Sequence, residues 1–187
     1  MKALSVMTFG QESLASGDSG PAPAAIAQKA DLQEIKNGSM QQFEDAIVGL
    51  FDMAKEEVII STDFYPPFYN RQKVTDSIQN ASKRVKSFRV LLDSYVDLVA
   101  LRSSITGCPW LFENKKIEIA QSETPIPHWM MMDRNNFRFE KAHPPNEPGN
   151  SNLIIRNAKA DDKLTPLVSE ALSAMDSMWK NADPVER

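Results

Sequence analysis

Side chains suited to chemistry are scarce in this chain. Its 187 residues include one cysteine, Cys108, and two histidines, His128 and His143. A single cysteine excludes an internal disulfide framework and any multi-cysteine metal centre. Two histidines leave few candidates for acid–base work. Glycine is sparse as well: of seven, only four follow residue 30, and they form no cluster able to cradle a phosphate. No uninterrupted apolar run approaches the ~18 residues that a membrane-spanning helix requires. The apolar stretch between Met1 and Phe9 is too short for the core of a secretory signal. A net charge of −4 gives no whole-chain reason to expect nucleic-acid binding. What is present, 42% hydrophobic and 25% charged residues, suits a soluble, cytoplasmic globular domain.

The first thirty residues differ from the rest. Ala, Ser, Gly and Pro supply 16 of them, too little apolar surface to offset ordering entropy, so residues 1–30 read as a flexible tail and 31–187 as one domain. Ser39-Met40-Gln41-Gln42 has the spacing of a capping box. Met40, Phe43, Ile47, Leu50, Phe51 and Ala54 then recur at helical intervals. Val58 to Thr62 reads as a buried strand, Pro66-Pro67 as a loop, and Val74, Ile78, Ala81 and Val85 as a second helix capped by Asn70. A strand at Phe88–Asp93 precedes a helix opened by Ser94-Tyr95-Val96-Asp97 and ending near Ser103. Strands follow at Lys116–Gln121, Ile126–Met132, Asn136–Glu140 and Leu153–Ile155. The last helix starts at Thr165-Pro166, with proline in the first turn. This order predicts an α/β fold: a mixed, largely parallel sheet flanked by helices on both faces.

The segment from Ile126 through His128 and Asp133 to Glu140, with Gly149-Asn150-Ser151-Asn152 after it and a final helix reaching Trp179, resembles the central hairpin and surroundings of the phospholipase D-like superfamily. The resemblance covers the layout of residues 35–181 and implies the family's α/β/α sandwich. In that family a strand carries His-x-Lys-x4-Asp; the histidine forms a phosphohistidine and the lysine neutralises phosphate oxygens. With Asp133 as the motif aspartate, His128 takes the lysine position and Ile126 that of the nucleophile. With His128 as the nucleophile, Met130 and Asn135 take the other two places. Isoleucine cannot attack phosphorus, and methionine brings no charge to developing phosphoryl negativity. A family site also combines two motif copies and this chain has one, so the resemblance implies a homodimer.

His128 and Asp133 are therefore the catalytic candidates of a degenerate motif. Met130-Met131-Met132 reads as core strand. His128 and His143, with Asp133 or Glu140, offer metal ligands at a spacing that matches no local metal signature, and no metal or other cofactor is expected. The loop after the first apolar strand carries Phe64, Tyr65, Phe68 and Tyr69 around two prolines, at the edge where open α/β sheets bind ligands; these rings are the expected ligand or partner surface. Arg71, Lys73, Lys83, Arg84 and Lys86 form a basic strip, running on to Arg89, with possible nucleic-acid contacts. Cys108 has no base beside it in sequence. Residues 140–149, rich in proline, form a surface loop or a lid over a pocket.

The leading expectation is a non-catalytic phospholipase D-like domain: a ligand-sensing, interaction or assembly module, homodimeric, that takes an anionic ligand or a partner protein. The alternative is a degenerate phosphodiesterase or nuclease using His128 across the dimer interface. A nucleic-acid-binding accessory protein using residues 71–89 comes third.

Overall fold

A computed structural model describes residues 29–144, 149 and 151–186. All but the last two residues of the tail expected at 1–30 lie outside that range, as do positions 145–148 of the proline-rich loop and position 150 after it.

The first helix shows how local sequence sets local structure. In α1 (Met40–Met53) the Ser39 hydroxyl accepts from the Gln42 N–H, and the Gln42 side chain accepts from the Ser39 N–H at 2.8 Å. Two otherwise unpaired donors are thereby satisfied. Phe43, Ala46, Ile47, Leu50 and Phe51 form its buried face. The strands are β1 (Asp31–Lys36), β2 (Glu57–Thr62), β3 (Ser87–Leu92), β4 (Ile117–Gln121), β5 (Trp129–Met132), β6 (Asn136–Glu140), β7 (Ser151–Arg156) and β8 (Asp183–Pro184). The remaining helices are α2 (Pro66–Tyr69), α3 (Gln72–Arg84), α4 (Leu98–Ser104), α5 (Trp110–Glu113) and α6 (Thr165–Lys180). Asn70 does not cap α3 with its side chain. Arg71 holds the N-cap, and the Asn70 amide instead bridges Ser104 and Gly107. Asp97, not Ser94, caps α4.

One eight-stranded sheet runs in the order β1-β7-β6-β5-β2-β3-β4-β8. It is mixed, as expected, but its parallel part is confined to β2-β3-β4; the other five pairings are antiparallel. That is less parallel than the sequence reading, because the hairpin and its successor strand extend the sheet by tight turns rather than by crossovers. Alternation along the strands splits the core in two. Val58, Ile60, Met130 and Met132 pack beneath α1–α5. Ile59 and Met131 face the other way, under Val168, Ala171 and Met175 of α6. The three methionines are core strand, as their sequence context indicates. β1 escapes a sequence reading because only Ile35 of its six residues is buried, as suits an edge strand. Among the described residues no helix is long and apolar enough to cross a membrane.

Candidate functional site

Strand direction gathers the site. β2 and β3 are parallel, so Asp63 and Asp93, each one residue past its strand, emerge at the same sheet edge. β5 runs antiparallel to β2, so His128, just before β5, returns to that edge. β6 runs back along β5 and ends there at Glu140, whose N–H donates to the His128 carbonyl at 3.2 Å. Three residues later His143 folds over the group.

The contacts are close. His128 Nε2 lies 3.3 Å from Asp93 Oδ2 and 3.5 Å from the Tyr95 hydroxyl. Its Nδ1 lies 3.2 Å from His143 Nε2, 3.9 Å from Glu140 Oε2 and 4.0 Å from Asp63 Oδ1. His143 Nε2 is 3.8 Å from the same Glu140 oxygen, and its Nδ1 is 2.9 Å from the Pro144 carbonyl. Arg138 bridges to Glu140 Oε2 at 2.7 Å. None of these ionisable side chains is more than 10% exposed, apart from Tyr95. Three carboxylates therefore face one guanidinium. Burial beside Asp63 and Asp93 pushes the Tyr95 phenol well above its usual range, so it acts as a neutral hydroxyl.

Two hollows flank His143. A cavity of about 40 Å³ is lined by Thr62, Asp63, Phe68, Tyr69, Arg138 and Glu140. A groove of about 470 Å³ lies on the other side, between Tyr95, Ile126, His128 and the exposed Lys141. Gly149 sits directly on Glu140, where any β-carbon would clash with that carboxylate. The strained backbone of Phe64, at φ 57°, lies next to Asp63 in the same wall.

No protein-family model and no curated protein sequence matches the chain. Solved structures do. TrmBL2, an archaeal chromatin protein with a novel mode of DNA binding, superposes with a TM-score of 0.58 at 14% identity, over 88% of this chain and 56% of its own. NucT from Helicobacter pylori matches with a TM-score of 0.57 at 12% identity, over 84% of this chain and 100% of that one. Nuc from Salmonella typhimurium, a phospholipase D family member, matches with a TM-score of 0.53 at 14% identity, over 85% of this chain and 99% of its own. The chain has a phospholipase D-like fold. It spans little more than half of TrmBL2 and essentially all of Nuc and NucT.

Within this phospholipase D-like sheet the expected site residues separate. His128 is in the cluster. Asp133 is at the opposite end of β5, in the turn before β6, and does not meet it. Its carboxylate accepts from the backbone N–H groups of Lys55, Glu56 and Glu57 at 2.8–2.9 Å. The expectation of a catalytic Asp133 is corrected: the residue ties the β5–β6 turn to the start of β2. Ile126, in the nucleophile's register position, is buried against Leu91 and Ala120. Asn152, from the segment resembling Gly-Ser-x-Asn, stands opposite Glu140 in the pairing of β6 with β7. Its amide is buried without a hydrogen-bond partner among the described residues.

The aromatic loop is corrected in part. Phe64, Phe68 and Tyr69 are buried in the main core, where Phe64 and Tyr69 have ring centroids 4.2 Å apart. Only Tyr65 is half-exposed, and the loop presents no open four-ring surface, because the α2 turn rolls its rings inward. Of the basic strip, the arginines are held by neighbouring groups, while Lys73, Lys83 and Lys86 are exposed. Arg71 and Lys73 pair with Glu44, Lys86 with Glu56, and Arg89 with Glu57. Arg84 donates to the Phe51 and Ala54 carbonyls at the end of α1. Lys83 alone has no partner among the described residues. Cys108 is fully buried, and burial pushes its thiol up to about 11, which leaves it inert as a nucleophile.

The Arg71–Glu44 pair joins α1 to the start of α3, and its guanidinium holds the Glu44 carboxyl below the ordinary value of 4.5 against the opposing effect of burial. A carboxyl depressed in the folded state adds stability above its unfolded value and loses it as pH falls through the folded one. The stability gap between the wild type and Arg71→Ala is therefore expected to narrow below pH 4.5. Urea unfolding at several pH values checks this, and a gap independent of pH contradicts it.

Sequence reasoning missed Asp63 and Asp93. A usable signal was present: each acid directly follows an apolar strand, at the carboxyl edge where parallel strands place their sites.

Proposed function

We propose that this chain is a binding or assembly module built on the phospholipase D-like fold, rather than a phosphodiesterase of that type. One observation carries the reading. Among the described residues the cleft buries Asp63, Asp93 and Glu140 against one arginine or lysine, Arg138, which is already bridged to Glu140. A phosphodiester entering there meets two uncompensated negative charges, whereas phosphoryl transfer needs positive charge at the developing oxyanion. A free anion is for the same reason a poor occupant. The occupant that suits the resemblance is a partner protein, in the first instance a second copy of the chain. Light scattering is expected to report a dimer, and a strict monomer would remove that part of the proposal.

The phosphodiesterase alternative keeps one argument. His128 and His143 face each other, with Asp93 behind His128, and so supply a nucleophile and an acid within a single chain. Bis-p-nitrophenyl phosphate and single-stranded DNA are the decisive substrates. The proposal expects no turnover above that of His128→Ala. Turnover that His128→Ala abolishes overturns it. TrmBL2 binds DNA, but Arg71 and Arg84 of this chain are held by Glu44 and by the end of α1, which leaves only exposed lysines of residues 71–89 for such contacts.

A further inference from the structure

We infer that His128 Nδ1, His143 Nε2 and Glu140 Oε2 form a site for one divalent ion of the zinc class, closed on one side by Asp63. The geometry is the first support. Donors held ~2.0–2.2 Å from a tetrahedral ion lie roughly 3.3–3.5 Å from one another. The three separations here are 3.2, 3.8 and 3.9 Å, so movements of a few tenths of an ångström complete three corners. Asp63 Oδ1, 4.0 Å from His128 Nδ1, stands near the fourth.

Hydrogen bonding is the second. His128 Nε2 faces the Asp93 carboxylate, and His143 Nδ1 faces the Pro144 carbonyl. Ionised carboxylates and carbonyls only accept, so each ring carries its proton on that outer nitrogen. In the neutral rings both inner nitrogens are then bare, and two lone pairs oppose each other across 3.2 Å. That arrangement repels unless a proton or a metal ion lies between them, and two facing lone pairs are what a metal ion needs. An outer carboxylate or carbonyl that fixes the imidazole tautomer is also the usual support for a metal-bound histidine.

Charge is the third. Asp63, Asp93 and Glu140 against Arg138 leave two negative charges in a buried volume, which one divalent ion neutralises. Arg138 uses one lone pair of Glu140 Oε2 and leaves the carboxylate capacity for a second partner. Two imidazoles and a carboxylate favour zinc-like ions over magnesium or calcium, which prefer all-oxygen shells. The bound ion would clasp residues 141–144 to the sheet edge through His143. It would neutralise the charge on which the binding-module reading rests, but it would also take His128 Nδ1 as a ligand while Asp93 holds Nε2, leaving that ring no free nucleophilic nitrogen.

The test uses the full chain, stripped with EDTA and titrated with ZnCl2 against a chromophoric chelator. One equivalent per chain is expected, weakened at least a hundredfold by His143→Ala. Asp93→Asn, which changes no ligand, is expected to weaken it roughly 10–100-fold by releasing the His128 ring. His143 sits on a loop, so the circular dichroism and thermal transition of metal-free His143→Ala should match the wild type. Cobalt(II) should give a visible absorption band that this variant lacks. Sub-stoichiometric zinc binding, binding undiminished in both His143→Ala and His128→Gln, or equal binding of magnesium overturns the inference.

Discussion

Asp133→Ala is expected to destabilise the protein by about 3 kcal/mol. Hydrogen bonds to a charged group contribute ~1.5–3 kcal/mol each, non-additively and less where water can replace them. Asp133 makes three to successive backbone N–H groups of residues 55–57, at a half-buried position. Its backbone adds to the cost. Asp133 and Arg134 have φ values of 56° and 51°, and the Asn135 N–H closes the turn on the Met132 carbonyl. Such a hairpin turn requires two left-handed residues, which aspartate tolerates better than alanine. Urea unfolding reads the loss directly, and one smaller than about 1 kcal/mol contradicts this account. The experiment also separates two roles for the residue: a catalytic aspartate would cost activity without costing the fold.

Arg138→Met is expected to cost about 3–5 kcal/mol, the usual penalty for breaking a buried ion pair from one side. Methionine preserves most of the arginine stem, so packing alone predicts a small change. The penalty arises because Glu140 is left among Asp63 and Asp93 with no buried arginine or lysine among the described residues. Arg138→Lys, which retains a charge but not the fork geometry, should recover part of the loss. Chemical denaturation compares the three proteins. In EDTA-treated protein, a near-neutral Arg138→Met would show that the carboxylates of this cleft are already compensated without a metal, which would also weaken the case for a metal ion between the two histidines.

Both substitutions concern residues whose roles were unevenly legible beforehand. His128 stood out because it is one of only two histidines and lies on the recognisable hairpin. His143 and Glu140 were nameable as ligand types, yet fifteen residues separate the two histidines, and nothing in their spacing says that the rings meet. Asp133 fits a sequence motif and yet serves the backbone of a segment more than seventy residues away. The aromatic loop looked like an open surface because proline and aromatic residues in a row give no sign of which way a turn rolls.

Although the single-turn helices α2, read as a loop, and α5 escaped it, amino-acid order alone determined α1, α3, α4 and α6, most of the strands and the mixed α/β class. These depend on contacts between near neighbours: the Ser39 capping box, the stripe of α1, the alternation of Met130, Met131 and Met132 between two cores. It also carries the expectation of an incomplete motif, since in neither register of the resemblance do histidine and lysine occur together. The tertiary structure decided which groups share the site. The antiparallel return of β5 and β6 beside β2 carries His128 and Glu140 to the edge where Asp63 and Asp93 emerge, and His143 closes over them. Scarcity of reactive side chains along the chain thus becomes their concentration at one place, because strand pairing brings together residues that no local rule relates.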